Sequence, residues 1–277
     1  MRRSRAAAGV AAAAVLAGLV GCASVSTQQE VEMGATAAQQ VNAQLPMLND
    51  AQISAYVEQL GRRIAQTTSR SDLDWHFAVV NTDVVNAFAL PGGFIYVNRG
   101  ILARADNESE LAGVLGHEIE HVVRRHSVKQ MEQAQSANIG VGLACALTGV
   151  CENQAVAAGV QVTGAAVFAK FSREDEIQAD EGGFQNLVRA GINPTGMLTF
   201  FQKLLQEEQS SGGGGGVSAW FSDHPGTQDR VNDIQRMLNQ MPESQRTGLA
   251  SDSQGFRAAK QRLSQLPAAP APTSTGG

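Results

Sequence analysis

The chain has 277 residues, 43% of them apolar and 17% charged, with a formal charge of -5. These proportions describe a globular protein able to bury a sizeable core and exclude a disordered or fibrous chain. The acidic balance excludes nucleic acid as the natural partner, because phosphate backbones select basic surfaces.

The first 21 residues stand apart. Arg2, Arg3 and Arg5 precede an unbroken Ala/Val/Leu/Gly run from Ala6 to Val20, followed by Gly21-Cys22. Basic, apolar and small residues in that order form an export signal, and a run of 15 residues is short for a membrane span. Leu19-Val20-Gly21-Cys22 resembles the bacterial lipobox, which implies cleavage before Cys22 and lipidation of that cysteine; an ordinary signal with an unrelated cysteine is the competing reading. Residues 22–29 then form a small, polar tether. No Asp follows Cys22, and by the same resemblance this favours the outer membrane, with the protein facing the periplasm. Loss of the signal removes three arginines and no acids, so the charge falls to -8. Cys145 and Cys151 remain in an oxidising compartment and are expected to form a local disulfide, with two buried free thiols as the alternative if the intervening residues are helical.

Apolar spacing predicts a helix through Val31, Ala35, Ala38 and Val41, a break at Leu45-Pro46, and a second helix through Ile53, Tyr56, Val57, Leu60 and Ile64. Aromatic and β-branched residues over Trp75–Val80 and Phe94–Val97, with Pro91-Gly92-Gly93 as turn, predict a small antiparallel sheet. A third helix begins at Asp106 or Asn107, where Asn107 and Glu110 form a capping box, and runs on through Val123. Residues 137–169, rich in Ala, Gly and Val, read as two close-packed helices; a buried hairpin and a surface touching lipid or client protein are both compatible with them. A further helix covers Ser172–Ala190, Gly212–Gly216 is a flexible spacer, and Pro267–Gly277 has the composition of a disordered tail.

Of five histidines, two lie four apart in His117-Glu118-Ile119-Glu120-His121 on the third helix. Positions i and i+4 share a helix face, so both imidazoles can reach one cation. In this motif the acid after the first histidine acts on the metal-bound water, which assigns Glu118 as general base. A hydrolytic zinc site needs a third protein ligand and one open position. Glu176 is the candidate, and Asp180, four residues on, can accept the other N–H of His117. Spacing alone is equally compatible with a solvated acidic face. His126, five residues beyond His121, is expected to point away from the metal face, and His76 to be structural.

The chain resembles the gluzincin metallopeptidases, a family that includes HtpX, the CAAX prenyl proteases, BepA and LoiP. The likeness runs from about residue 30 to 240 and rests on Leu48-Asn49-Asp50 to Leu60-Gly61, Asn86-Ala87-Phe88-Ala89 with Pro91-Gly92-Gly93, the Gly116–His121 motif, Glu176–Asp180, and His224-Pro225 followed by Arg230. It implies an α+β, mainly helical, zincin-like catalytic domain over 30–240, preceded by the signal at 1–21 and tether at 22–29 and followed by an extension at 241–277. It also implies that His117, His121 and Glu176 bind one zinc ion and that Glu118 is the base. Several members carry membrane helices that this chain does not match, and the lipid anchor points to the LoiP-like lipoprotein branch.

By the same resemblance His224 approaches the zinc, closing its fourth position at rest or stabilising the oxyanion, with Gly212–Gly216 as a gate; an ordinary surface histidine beside a glycine insert is the alternative. Arg230 supports the site or belongs to a charged helix surface. Asn86, Ala87, Phe88 and Ala89 form either an edge strand that pairs with an extended peptide or an interior strand. The expected function is zinc endopeptidase activity on misfolded or misassembled envelope proteins, beside outer-membrane protein assembly machinery, with a chaperone or assembly factor as the competing reading.

Overall fold

A computed structural model describes residues 24–133, 171–211 and 217–270. Cys22, Cys145, Cys151, the expected helical pair at 137–169 and the glycine run at 212–216 lie outside the described residues.

Helix α1 (Thr27–Gln44) starts at Ser26, whose hydroxyl accepts from the Gln29 amide while the Gln29 side chain accepts from the Ser26 amide. Its buried face is Glu30, Gly34, Ala38 and Val41, one position off the stripe expected at its N-terminal end. Leu45-Pro46 ends it, and α2 (Ala51–Ala65) restarts at Asp50, whose carboxylate accepts from the Ile53 amide. Ile53, Val57, Leu60 and Ile64 face the main core.

Strands β1 (His76–Val80), β2 (Ala87–Leu90) and β3 (Phe94–Asn98) form one sheet in the order β1-β3-β2. The β2–β3 hairpin is antiparallel, turning at Pro91-Gly92-Gly93 with φ of 77° and 103° at the glycines. The expectation of a wholly antiparallel sheet is corrected at β1, which runs parallel to β3. Residues 81–86 cross the end of β3, where Thr82 O accepts from the Gly100 amide and Val84 O from the Asn98 side chain, so β2 descends on the far side. Alternation is clean: Phe77, Val79, Ala87, Ala89, Ile95 and Val97 face the main core. Val80, Leu90 and Tyr96 pack with Ala38 and Val41 of α1 on the other face.

A short helix, α3 (Arg99–Arg104), leads into α4 (Glu108–Val123). Asn107 caps α4 by accepting from the Glu110 amide, but Glu110 reaches back to the Asp106 amide and not to that of Asn107, so the capping box is displaced by one residue. Helix α4 is buried from Glu108 to Val122 and is the central rod of the fold. Around it pack α5 (Arg173–Arg189) and α6 (Thr195–Ser211). The chain then forms α7 (Ser218–Asp223), α8 (Thr227–Gln240), α9 (Glu243–Arg246) and α10 (Gln254–Ser264). Phe256 and Leu263 of α10 lie in the same core as α2 and α4. Among the described residues no helix is long and apolar enough to cross a membrane.

The α4–α6 crossing is tight at Gly113, where a Cβ would stand 2.7 Å from the Met197 Cα and 3.0 Å from its Cβ. Gly113→Ala is therefore expected to destabilise the fold by about 1–3 kcal/mol through overpacking, read as a lower midpoint of chemical denaturation. An unchanged midpoint would contradict this close approach.

Candidate metal centre

Two turns of α4 carry His117, Glu118 and His121, one turn of α5 carries Glu176 and Asp180, and His224 follows α7. Ser172 starts α5 with a reciprocal cap to Asp175, which sets the helix phase so that Glu176 and Asp180 both turn toward α4. All six of these ionisable side chains are buried, from His117, Glu118 and Glu176 at 0% exposure to Asp180 at 2%.

Ligand atoms of His117, His121, Glu176 and His224 lie within 4.8 Å of one another. His117 Nε2 is 3.0 Å from His121 Nε2 and 3.2 Å from His224 Nδ1. Glu176 Oε1 is 3.1 Å from His224 Nδ1 and 3.4 Å from His121 Nε2, and Glu176 Oε2 is 3.5 Å from His117 Nε2. Tetrahedral ligands on arms of about 2.0–2.1 Å stand roughly 3.3 Å apart. These separations match that spacing. Two oxygens of Glu118 and Oε2 of Glu176 are buried without a hydrogen bond, which is costly unless a cation or a bound group meets them. Nitrogen and carboxylate donors of this kind fit zinc.

Burial pushes the His117 imidazole down to about 3 and that of His121 to about 4, which leaves both neutral with a lone pair to donate. Burial pushes the Glu118 carboxyl up to about 7. For His224, burial disfavours charge, but the Glu176 and Glu118 carboxylates beside it outweigh that and raise it to about 9. Burial likewise opposes charge on Glu176 and Asp180, yet His224 and Arg230 hold Glu176 well below its ordinary value and Arg230 lowers Asp180.

The surrounding contacts fix the donors. Asp180 Oδ1 lies 2.9 Å from His117 Nδ1, so the ring presents Nε2 to the centre. Arg230, from α8, donates to both oxygens of Asp180 at 2.7 and 2.8 Å and stands 2.6 Å from Glu176 Oε2, close enough for an ion pair but out of line for a hydrogen bond. Its guanidinium also lies 4.7 Å from the centre of the Phe201 ring.

Residues 51–238 match the family model described as Peptidase family M48. The chain belongs to that peptidase family. It is 33% identical over 244 residues to the Beta-barrel assembly-enhancing protease of Escherichia coli (strain K12), covering 86% of this chain and 49% of that protein. It is 31% identical over 193 residues to the Mitochondrial metalloendopeptidase OMA1 of Schizosaccharomyces pombe, covering 69% of this chain and 53% of that protein. Over 188 residues it is 26% identical to Metalloprotease YcaL of Escherichia coli (strain K12), covering 66% and 72% of the two chains. The chain spans about half the length of the first of these relatives.

Within this M48 fold, strand β2 lies at the sheet edge, and no strand pairs its outer side among the described residues. Ala87 and Ala89 are buried, Phe88 is half-buried against Tyr96, and Asn86 donates to Asp223 at 2.8 Å, tying the strand to the residue before His224. His76 is half-exposed and stacks on Phe94. The expectation for His126 is corrected: it is buried, with Nδ1 2.9 Å from Nδ1 of His121. Helix α4 stops at Val123, Arg125 adopts φ of 58°, and the chain doubles back, so helical periodicity does not extend to His126.

Three aromatic residues escape motif reading. Phe171 stacks on His121 at 3.9 Å, Trp220 stacks on His224 at 4.4 Å, and Phe201 meets His117 edge-on at 6.2 Å. The position of Trp220 four residues before His224 is the one local signal among them. Because Arg230 compensates two buried carboxylates, Arg230→Met is expected to lower the stability of metal-free protein by about 3–5 kcal/mol. Chemical denaturation in the presence of a chelator measures this; a loss below about 1 kcal/mol, the level of an exposed pair, would show that the guanidinium does not hold the site.

Proposed function

We propose that the chain is a zinc-dependent endopeptidase, held in the bacterial envelope by a lipid on Cys22 and acting on misfolded or misassembled envelope polypeptides. The observation that carries the catalytic part is the buried Glu118 carboxylate, which makes no hydrogen bond and has His224 Nε2 at 3.4 Å, beside four converging donors. The name of one bacterial relative, a protease that enhances β-barrel assembly, supports the envelope setting.

His117, His121 and Glu176 would hold the ion. When bound, it supplies Lewis acidity that polarises the scissile carbonyl and makes a nearby water more acidic. Glu118 takes the proton of the attacking water and delivers it to the leaving amine. Asp180, itself held by Arg230, keeps His117 in the tautomer that turns Nε2 inward. The outer edge of β2, through Asn86 to Ala89, pairs with the extended substrate backbone, which gives affinity with little sequence preference. His224 would either join the residues that hold the ion at rest or stabilise the developing oxyanion; its Nδ1 at 3.1 Å from Glu176 Oε1 supports the first of these.

That contact also favours a second reading, in which the β2 edge holds clients and assists outer-membrane protein assembly while cleavage is rare. Glu118→Gln is expected to keep stoichiometric zinc and reduce cleavage of an unfolded protein by about 10²–10⁴-fold, and a chelator is expected to abolish the wild-type activity. Metal analysis and a cleavage assay test both statements. A fully active Gln variant removes the base assignment, and complementation of a deletion strain by that variant favours the client-holding reading. His224→Ala is expected to change basal cleavage or zinc affinity, and constancy of both would take His224 out of the centre.

A further inference from the structure

We propose that His126 is a positioning residue that fixes the tautomer of His121 and thereby aims the Nε2 lone pair of His121 at the metal. The inference rests on the zinc-site reading above and adds the part that its ligand set leaves open, namely what holds the second imidazole of α4.

Each ring nitrogen of His121 has a distinct neighbourhood. Nε2 faces His117 Nε2 at 3.0 Å and Glu176 Oε1 at 3.4 Å, while Nδ1 faces His126 Nδ1 at 2.9 Å. Two imidazole nitrogens at that distance share one proton, so one ring donates and the other accepts. Which ring donates is settled at the far end of His126. Its Nε2 lies 3.4 Å from Gln178 Oε1 and 3.4 Å from Asp175 Oδ1. The Gln178 amide nitrogen is engaged by Glu174 Oε1 at 2.9 Å, which orients the amide oxygen toward His126. Both groups facing His126 Nε2 are therefore acceptors, and that nitrogen carries the hydrogen. Neutral His126 then has its lone pair on Nδ1, where it accepts from His121 Nδ1–H, and His121 keeps its Nε2 lone pair for the ion.

The two α4 imidazoles are thus served by unlike acceptors. His117 has the Asp180 carboxylate, and His121 has a neutral ring that is itself anchored to α5. The backbone places His126 for this: Arg125 at φ 58° reverses the chain, and residues 126–133 form a new helical run whose first side chain is folded back under His121. His126 has no exposed side-chain surface, and its ring is edge-on to that of His121 at 5.0 Å and 75°. If the hydrogen sat on His126 Nδ1 instead, His121 would carry its own on Nε2 and could not bind a cation.

The test uses the full chain labelled with ¹⁵N-histidine. Zinc-loaded wild type should show hydrogen on Nδ1 of His121 and on Nε2 alone of His126. Zinc competition against a chromophoric chelator then compares two variants. His126→Phe, which keeps ring volume but offers no acceptor, should weaken zinc binding about 10- to 100-fold. His126→Asn, whose amide oxygen stands near the place of Nδ1, should recover most of the loss. Unchanged affinity in the Phe variant, or equal loss in both, overturns the proposal, and should the variants fail to fold, the wild-type spectrum decides alone. A wild-type chain that binds no zinc removes the metallopeptidase reading; a zinc-bound wild type with hydrogen on His126 Nδ1 removes this inference only.

Discussion

Three carboxylates, those of Glu118, Glu176 and Asp180, are buried together, and keeping them there is the constraint that organises the rest of the fold. An uncompensated buried carboxylate is worth several kcal/mol of instability. Arg230 answers two of them at once, and it can do so because α8 is held against α5 and the guanidinium rests on Phe201. Glu118 is left without a hydrogen bond, and burial raises its carboxyl accordingly. Proteins seldom leave such a group unpaired away from a working site. Arg230 therefore answers Glu176 and Asp180, whereas Glu118 has only the ring of His224, whose Nε2 lies 3.4 Å from its Oε1.

What could be read from the residues divides along the range of the interactions. His117, Glu118 and His121 were legible because helical spacing of four is local, and the hairpin was legible because Pro91-Gly92-Gly93 announces its own turn. Glu176 and Asp180 were visible as a pair, but the same spacing describes a solvated acidic face, and resemblance to a family gave them their meaning. The parallel pairing of β1 with β3 depends on a crossing of residues 81–86 that has no local pattern. His126 was misplaced because the reversal at Arg125 uses a left-handed conformation without the glycine or asparagine that usually marks one.

The aromatic wall of the site was illegible for a related reason. Phe171, Phe201 and Trp220 come from three separated stretches and meet the histidines only after α5, α6 and α7 have packed on α4. Nothing in their own neighbourhoods distinguishes them from core residues. The carboxy-terminal stretch behaves similarly: its apolar residues are sparse, yet Phe256 and Leu263 close the core against α2, and the Ile192–Ala250 bridge binds it to the end of α5. Among the described residues, every donor to the centre, and every side chain seen to orient one, comes from residues 117 to 230, inside the span matched by the M48 family.

Helix α5 controls this assembly through its distance from α4. It carries one candidate ligand, Glu176, the acceptor for His117, Asp180, and the two groups that face His126, Asp175 and Gln178. Glu176 and Asp180 act across the α4–α5 interface, and there Gly183 meets Gly116 so closely that a Cβ on Gly183 would lie 3.0 Å from the Gly116 carbonyl carbon. Hydrogen bonds weaken steeply beyond about 3.5 Å and metal ligands tolerate still less displacement. A separation of the two helices by the width of one methyl group would thus loosen Glu176 and the Asp180 acceptor of His117 together. The glycine pair behind the site sets its precision even though neither residue faces the metal.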